Sequence, residues 1–300
     1  MRYRSAWLVL VALLALGCEE DVVAVLGTDV QYSLYGVLNP LADSQSVRVY
    51  PIRETLVPEE DPELVAEVRS VDLNTGEERV WRQTVVVDRD GGFGYIYRAP
   101  FRAEYGHQYR ITVAGPDGGE AEATVEVPGE STIAMGTPIL SRDVVAPIVL
   151  SGPVTNLIRI ELTYFVQYSI GFITGNVPNI VGDTLVVPFE GRFTQRSNEL
   201  IVPVDLSAAF DAIRAEILNG VSFDQTYGIS LLALRFDAVV ANAAWQPPGG
   251  DFNPLVLIQP GTMSNVEGGF GFIGAGYRVS LTWAPPADVA DEAGFRPFGR

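Results

Sequence analysis

The 300-residue chain contains one cysteine, Cys18, and it follows directly on an apolar run. Residues 6–16 read AWLVLVALLAL, an uncharged stretch that comes after the basic residues Arg2 and Arg4. Such a run suits the apolar region of a secretory signal and is shorter than the ~20 residues of a membrane-spanning helix. A thiolate is also the side-chain nucleophile best suited to accept a lipid. The position of Cys18 therefore predicts export and a modified N-terminus.

The segment Ala15-Leu16-Gly17-Cys18 resembles the lipobox of bacterial lipoproteins. This resemblance implies that residues 1–17 are a lipoprotein signal peptide and that the Cys18 thiol is acylated, for example with palmitate. The usual pattern has leucine at the place of Ala15. Two alternatives stay open, an ordinary secretory signal cleaved near Gly17 and an uncleaved anchor. The resemblance implies three acyl chains, and each buried CH₂ adds ~0.8 kcal/mol of membrane affinity, so attachment would be permanent.

Residues 269–274 read GFGFIG, which matches the G-x-G-x-x-G pattern of dinucleotide sites. Such a site needs this loop between a strand and a helix, because the helix N-terminus contacts the pyrophosphate. The residues that follow, 277–283 (YRVSLTW), indicate a strand instead. We therefore predict no cofactor here, and expect the glycines to allow close backbone approach or a bulge beside the last strand.

Few other residues could support catalysis or hold a metal. His107 is the only histidine; its neighbours Gly106 and Gln108 indicate a surface loop, and no G-x-S-x-G elbow or His/Cys zinc cluster occurs. Residues 88–92 (DRDGG) begin like a calcium loop but lack its closing Glu, which favours a hairpin turn. Acidic pairs of the kind used by glycosidases are numerous, and none stands out. The sequence thus predicts no catalytic, cofactor-binding or metal-binding residue, and a non-enzymatic protein.

All 20 basic residues are arginine, against 37 acidic residues, for a formal charge of −17. Removal of residues 1–17 takes Arg2 and Arg4 and leaves 18 basic residues, for a charge of −19. Such a chain does not neutralise phosphates, which argues against nucleic acid as a partner. It is also repelled by anionic membranes, so membrane attachment would depend on the lipid. With its single cysteine, the chain forms no internal disulfide.

The remaining sequence has the alternation of half-buried strands. An acidic tether at residues 18–30 leads into residues 31–128, where turn signals such as 74–76 (NTG) and 116–119 (PDGG) separate the alternating runs. Roughly seven short strands in about 100 residues predict a mostly β fold that starts with an immunoglobulin-like or fibronectin-like β-sandwich. The alternation is clearest in Val47–Val49, Trp81–Val87, Tyr109–Val113 and Ala121–Val127.

After a linker at residues 128–131, residues 134–284 predict a second β-rich domain with one amphipathic helix. Its longest alternating run is Asn156–Ile173, long enough that we expect a bend or bulge. Further strands are predicted at 185–189, 200–204, 227–239, 255–258 and 278–283. Core packing explains most of its aromatic residues, and an exposed subset could bind a ligand or partner.

The helix is predicted at residues 206–218, because Leu206, Phe210, Ile213 and Ile217 recur at helical spacing. Asp205 or Ser207 can cap its start, and Asn219-Gly220 can close its end. The polar, Pro-rich residues 285–300 predict a flexible tail.

Several stretches together resemble a family of uncharacterised bacterial outer-membrane lipoproteins, known only as a domain of unknown function. The matching text is 17–20 (GCEE), 32–38 (YSLYGVL), 47–55 (VRVYPIRET) and 264–275 (SNVEGGFGFIGA). The resemblance implies an immunoglobulin-like domain and a C-terminal β domain, held on the outer membrane by lipid and often encoded near TonB-dependent receptors. It implies no catalytic residues.

These features favour a lipid-anchored protein of the bacterial cell envelope that binds a partner or ligand as an accessory to an outer-membrane transporter or receptor. Glu19 is not the aspartate that retains some lipoproteins in the inner membrane, which favours outer-membrane sorting. The alternatives are a structural or adhesive surface lipoprotein and a carboxylate-based hydrolase.

Overall fold

The computed structural model describes residues 31–52, 64–87, 93–173, 177–189, 191–219, 226–246 and 264–296. The predicted signal peptide with Cys18, the tether to residue 30, the DRDGG turn, the strand at 255–258 and Gly220 lie outside these residues. They stay predictions.

The chain is mostly β, with 59% strand and 9% helix, which confirms the predicted class. In the N-terminal part the strands are β1 (Tyr32–Leu38), β2 (Gln45–Pro51), β3 (Glu67–Asp72), β4 (Glu78–Val80), β5 (Arg82–Val87), β6 (Phe93–Ala99), β7 (Gln108–Ala114) and β8 (Glu120–Glu126). The following strands are β9 (Thr132–Met135), β10 (Val145–Ser151), β11 (Asn156–Ile173), β12 (Val177–Pro188), β13 (Thr194–Arg196), β14 (Glu199–Asp205), β15 (Thr226–Ala241), β16 (Val266–Glu267) and β17 (Gly269–Trp283). The helices within the described residues are α1 (Leu206–Asn219) and α2 (Ala287–Glu292).

The first eight strands form an immunoglobulin-like sandwich, as predicted. One sheet has the order β1-β2-β6-β5 and the other the order β8-β7-β3-β4. These are the A-B-E-D and G-F-C orders of an immunoglobulin constant domain, with β4 as an added edge strand. The Tyr109 hydroxyl accepts a hydrogen bond from the Glu104 N–H at 2.9 Å. Tyr109 lies near the start of β7, which corresponds to strand F. A tyrosine there that bonds to the backbone just upstream, called a tyrosine corner, is a further feature of the immunoglobulin fold.

The second half of the chain repeats the same strand order. One sheet runs β9-β10-β14-β13 and the other β17-β15-β11-β12, again A-B-E-D against G-F-C with an edge strand. Buried residues of both sheets form one core, among them Ile148, Val202, Tyr164 and Phe236. The sequence predicted a β-rich domain here, and the structure assigns it the same topology as the first. Helix α1 lies in the connection between β14 and β15.

Strand β17 joins the two sandwiches into one sheet. Its first half pairs with β1 in parallel, from Tyr32↔Gly269 to Leu38↔Ala275, and its second half pairs antiparallel with β15. The resulting eight-stranded sheet has the order β12-β11-β15-β17-β1-β2-β6-β5. Val266, Ile273 and Ala275 pack in the core of the first sandwich. Residues near the C-terminus therefore complete a sandwich that begins at residue 31.

The glycines of β17 permit this pairing. Gly271 has φ +107°, and a Cβ there would lie 2.1 Å from the Leu34 carbonyl oxygen. At Gly274 a Cβ would lie 2.4 Å from the Trp245 ring, which covers the strand where it passes between the sandwiches. Both distances are too short for a side chain. The predicted role in close backbone approach is confirmed, and the G-x-G-x-x-G residues lie within a strand.

Hydrogen bonds from β17 hold the predicted linker, residues 128–131, in place. The Tyr277 hydroxyl donates a hydrogen bond to the Gly129 carbonyl oxygen at 2.8 Å and lies 2.8 Å from Ser131 Oγ. The Tyr105 ring packs edge-on against Tyr277, with 5.2 Å between ring centroids. Contacts from both sandwiches thus meet at this tyrosine.

Residues 285–296 do not form the flexible tail that the sequence predicted. Helix α2 buries Val289 and Ala290 against the second core, and Phe295 is 1% exposed. The Phe295 ring contacts the Phe210 ring edge-on at 5.1 Å. This buried aromatic contact holds the segment against the second core, although its polar, Pro-rich composition predicted fraying.

The longest strand and the longer helix agree with the sequence analysis. Strand β11 has the predicted ends and bulges near residues 158–161, where Arg159 adopts φ +52°. Helix α1 extends one residue beyond the predicted end. Asp205 Oδ1 accepts a hydrogen bond from the Ala208 N–H at 2.9 Å and so caps the helix, whereas Ser207 Oγ accepts one from the Val144 N–H.

We expect Gly271→Ala to lower the free energy of unfolding by more than about 3 kcal/mol, because the methyl group meets the Leu34 carbonyl in a backbone conformation that disfavours side chains. Urea unfolding followed by tryptophan fluorescence measures the change. Gly182→Ala is the matched control: a Cβ there meets nothing within 4 Å. We expect that variant to be unchanged or stabilised by less than about 1 kcal/mol. Equal stability of both variants would show that the β1–β17 pairing does not depend on glycine.

Candidate functional site

An apolar cavity of about 310 Å³ lies in the second sandwich. Strands β11 and β12 line one side, and β14 and the first turns of α1 line the other. The lining residues are Leu162, Tyr164, Val187, Pro188, Phe189, Gly191, Pro203, Val204, Asp205, Ala208, Ala209 and Ala212. The volume falls at the lower end of the range of small-molecule sites, and a mostly apolar wall with few polar groups is typical of them.

Local sequence explains how the cavity stays open. Ala212 follows Ala208 by four residues and Ala209 by three, so the three small side chains are neighbours on the surface of α1 and leave space under the helix. At the other wall a Cβ on Gly191 would lie 2.7 Å from the Phe189 ring, so glycine lets this ring lie against the backbone. The Phe189 and Phe193 rings stack at 6.4 Å with an angle of 8° between their planes.

Tyr164 brings a polar atom into this apolar site. The residue is 1% exposed and lines the cavity. Burial, and in addition the nearby Asp205 carboxylate, raise the pKa of Tyr164 above its ordinary value. The hydroxyl is therefore neutral, and a neutral phenol hydroxyl can both donate and accept a hydrogen bond.

Asp205 is the other polar side chain of the lining. It ends β14 and caps α1 through one carboxylate oxygen, so the cap fixes its position at the cavity. No arginine lies within 4 Å of its carboxylate among the described residues. Among the described residues, the lining thus combines apolar walls, the Tyr164 hydroxyl and the exposed Asp205 carboxylate. This set can bind and orient a ligand.

His107 lies in the predicted loop, where it is half-buried and well fixed. Its Nδ1 donates to Asp72 Oδ2 at 2.9 Å, and its Nε2 lies 3.3 Å from Glu104 Oε2. Asp72 is buried, and its Oδ1 accepts from the N–H groups of Asn74 and Thr75. The imidazole therefore holds the β3–β4 turn against the tyrosine corner, which is a structural role.

The His107 contact also sets the charge of Asp72. Burial alone would raise the pKa of this carboxyl, but hydrogen bonds from His107 and from the N–H groups of Asn74 and Thr75 outweigh it, and the pKa lies below its ordinary value. The folded state thus favours the carboxylate form.

A second cavity, of about 350 Å³, contains two acids. Glu122 and Glu267 are directly opposite in the β8–β16 pair and line it with Thr124, Ser264, Asn265 and Val266. Arg110 Nε lies 3.9 Å from Glu122. Two adjacent carboxylates are what the hydrolase alternative needs, but this lining has no aromatic or apolar wall to hold a sugar ring. Elsewhere the buried Asp237 is paired with Arg235 at 2.7 Å.

Within the described ranges no group of three or more His, Cys, Asp or Glu side chains could hold a metal ion. None of the helices in those ranges combines the length and apolarity needed to cross a membrane. No protein-family model matches the chain, and no curated protein does either. The predictions for Cys18 and for the family resemblance therefore remain predictions.

Sequence analysis did not single out the cavity. The alternation of residues 156–173 does not distinguish Tyr164 from the other residues of β11, and the sequence indicated Asp205 only as a possible helix cap. One available signal was the alanine cluster 208–212 opposite an aromatic residue, because small side chains on an amphipathic helix can leave unfilled volume.

We expect the stability of the protein to fall as the pH drops below about 4, the ordinary range of an aspartate pKa. A carboxyl with a lowered folded-state pKa contributes stability that is fully present above its unfolded pKa and lost as pH falls through its folded pKa. Asp72→Asn should lower the free energy of unfolding at pH 7 by about 1–3 kcal/mol and flatten this acid dependence. Urea unfolding at pH 7, 5, 4 and 3 measures both effects.

The control is Asp43→Asn, which removes an exposed carboxylate. The assignment fails if Asp72→Asn keeps the acid dependence of the parent protein, or if Asp43→Asn reproduces its effect at pH 7.

Proposed function

We propose that this chain is a non-enzymatic, lipid-anchored protein of the bacterial outer membrane that binds a small, largely apolar ligand in the cavity of its second sandwich. The observation that carries the proposal is the cavity itself, an apolar space of about 310 Å³ between the two sheets whose lining includes the Tyr164 side chain and the Asp205 carboxylate. A ligand with an apolar body and one polar group matches this lining, because mostly apolar walls with a few polar groups are typical of small-molecule sites.

The wall composition supports binding of an apolar body. Leu162, Val187 and Phe189 come from one side of the cavity and Val204 from the other, so a ligand between them is enclosed by both sheets. Each Å² of apolar ligand surface removed from water contributes roughly 25 cal/mol. A ligand that fills the cavity thus gains affinity from its body and orientation from Tyr164.

The fold supports a carrier or accessory role. Strand β17 continues from one sandwich into the other, so the cavity has a fixed position relative to the N-terminal sandwich. In the proposed arrangement the N-terminal sandwich follows the lipidated Cys18, and the second sandwich presents the ligand to an outer-membrane transporter or receptor. Rigid placement lowers the entropy lost when such a partner docks.

The cavity is tested with the neutral fluorophore N-phenyl-1-naphthylamine, whose emission rises in apolar sites. We expect the parent protein to bind it and Ala212→Leu to weaken binding at least tenfold, because the larger side chain fills the cavity. Ala215→Leu is the matched control: this residue is exposed on the same helix and does not line the cavity. Equal affinity of both variants, or no binding by the parent protein, would contradict the proposed function.

The anchor is tested separately in cells. We expect labelled palmitate to be incorporated into the parent protein and not into Cys18→Ser, and the variant to leave the membrane fraction for the soluble one. Intact mass of the mature parent should show cleavage before residue 18 and acylation. An unmodified Cys18 in the membrane-associated parent protein would refute lipid anchoring and leave the cavity proposal unaffected.

A further inference from the structure

The polar groups that line the cavity favour a ligand with one sign of charge over the other. Among the described residues its lining contains one ionised group, the exposed Asp205 carboxylate, and no basic side chain. The Tyr164 hydroxyl lies near enough to Asp205 to be affected by its charge. The electrostatic potential of the cavity is therefore negative, which disfavours an anionic ligand and favours a cation.

Among the described residues no arginine pairs with the Asp205 carboxylate, whereas arginines pair with Asp237 and Asp43. Asp205 Oδ1 accepts a hydrogen bond from the Ala208 N–H. In this part of the chain no donor bonds to the other oxygen, Oδ2. The N-terminus of α1 carries a partial positive charge equivalent to roughly half an elementary charge, which the full negative charge of Asp205 exceeds.

The aromatic groups of the cavity provide a second contribution. A cation over an aromatic face is attracted by the negative centre of the ring, and this attraction grows when water is excluded. Phe189 lines the cavity, and the buried Tyr164 ring lies in its wall. A metal ion is a poor match, because one carboxylate and one neutral hydroxyl do not supply the six to eight oxygen ligands that calcium takes.

We infer that the cavity binds an organic cation, an ammonium group carried on an apolar body, with Asp205 as its counter-ion and Tyr164 as a hydrogen-bond acceptor. This inference rests on the proposed function, since it requires that the cavity binds a ligand at all. The ammonium donates to Asp205 Oδ2 and to the Tyr164 hydroxyl oxygen, and the apolar body packs against the aliphatic and aromatic walls.

The test uses three ligands with the same body and different head groups: 4-phenylbutylamine, 4-phenylbutanol and 4-phenylbutanoate. Each competes with N-phenyl-1-naphthylamine for the parent protein at low and at high salt. We expect the amine to bind about tenfold more tightly than the alcohol and the carboxylate to bind most weakly. The advantage of the amine should decrease at high salt, because ions screen the charge of Asp205 at the mouth of the cavity.

The variant Asp205→Asn removes the negative charge of this side chain and keeps its size. Asparagine caps helices about as well as aspartate, so α1 keeps its cap and the cavity keeps its shape. We expect this variant to lose the preference for the amine over the alcohol and to keep its affinity for the alcohol. Asp211→Asn, an exposed acid on α1 that does not line the cavity, should keep the preference. Tyr164→Phe should weaken both amine and alcohol.

The outcomes separate the two proposals. If the alcohol binds as tightly as the amine, or if Asp205→Asn keeps the preference for the amine, the inference of a cationic ligand is wrong while the proposed binding function stands. If none of the three ligands displaces the fluorophore and the fluorophore itself does not bind, the proposed function is wrong as well.

Discussion

The double pairing of β17 is the constraint on which the rest of the structure depends. One strand serves as the last strand of the second sandwich and as the parallel neighbour of β1, the first strand of the first sandwich. A side chain at Gly271 would push the strand away from Leu34, so the pairing depends on glycine there. Because Gly269 meets Tyr32 more than 200 residues earlier, the first sandwich is complete only once the C-terminal strand has been made. Contacts of such sequence separation slow folding, and they also remove the exposed edge that β1 would otherwise present.

The two sandwiches have the same strand order and differ most in one connection. In the first, the chain passes from β6 to β7 through a short loop that holds the tyrosine corner of Tyr109 and the His107–Asp72 contact. In the second, the equivalent passage from β14 to β15 contains α1. The helix cannot lie as close to the sheet as a loop does, and its alanine face leaves the cavity beneath it. The cavity thus arises from a change in one connection of a repeated scaffold, and connections on a shared scaffold are where proteins commonly carry function.

Local patterns made much of the fold predictable. Alternation located β7 and β8, and both ends of β11, because a strand with one buried face has a period of two. Helical spacing located α1 within one residue. The parallel pairing of β17 was not predictable, since its glycines lack alternation and its partner lies at the other end of the chain. Phe295 was missed because a single buried ring in a polar segment is set by its distant neighbour Phe210. For the site, nothing in the sequence near Tyr164 separates a tyrosine that faces a cavity from one in a filled core.

Asp205 links the stability of the fold to the chemistry of the cavity. A helix cap needs an acceptor oxygen, and serine or asparagine provides one without charge. Aspartate adds a full negative charge, which the positive end of the helix dipole stabilises. The hydrogen bond to Ala208 holds the carboxylate in one orientation, so the charge is already in place before a ligand arrives. Little conformational entropy is then lost on binding. The interaction that begins α1 thereby also positions the one ionised group that the described residues contribute to the cavity lining, so a variant at this residue changes both the helix cap and the charge of the cavity.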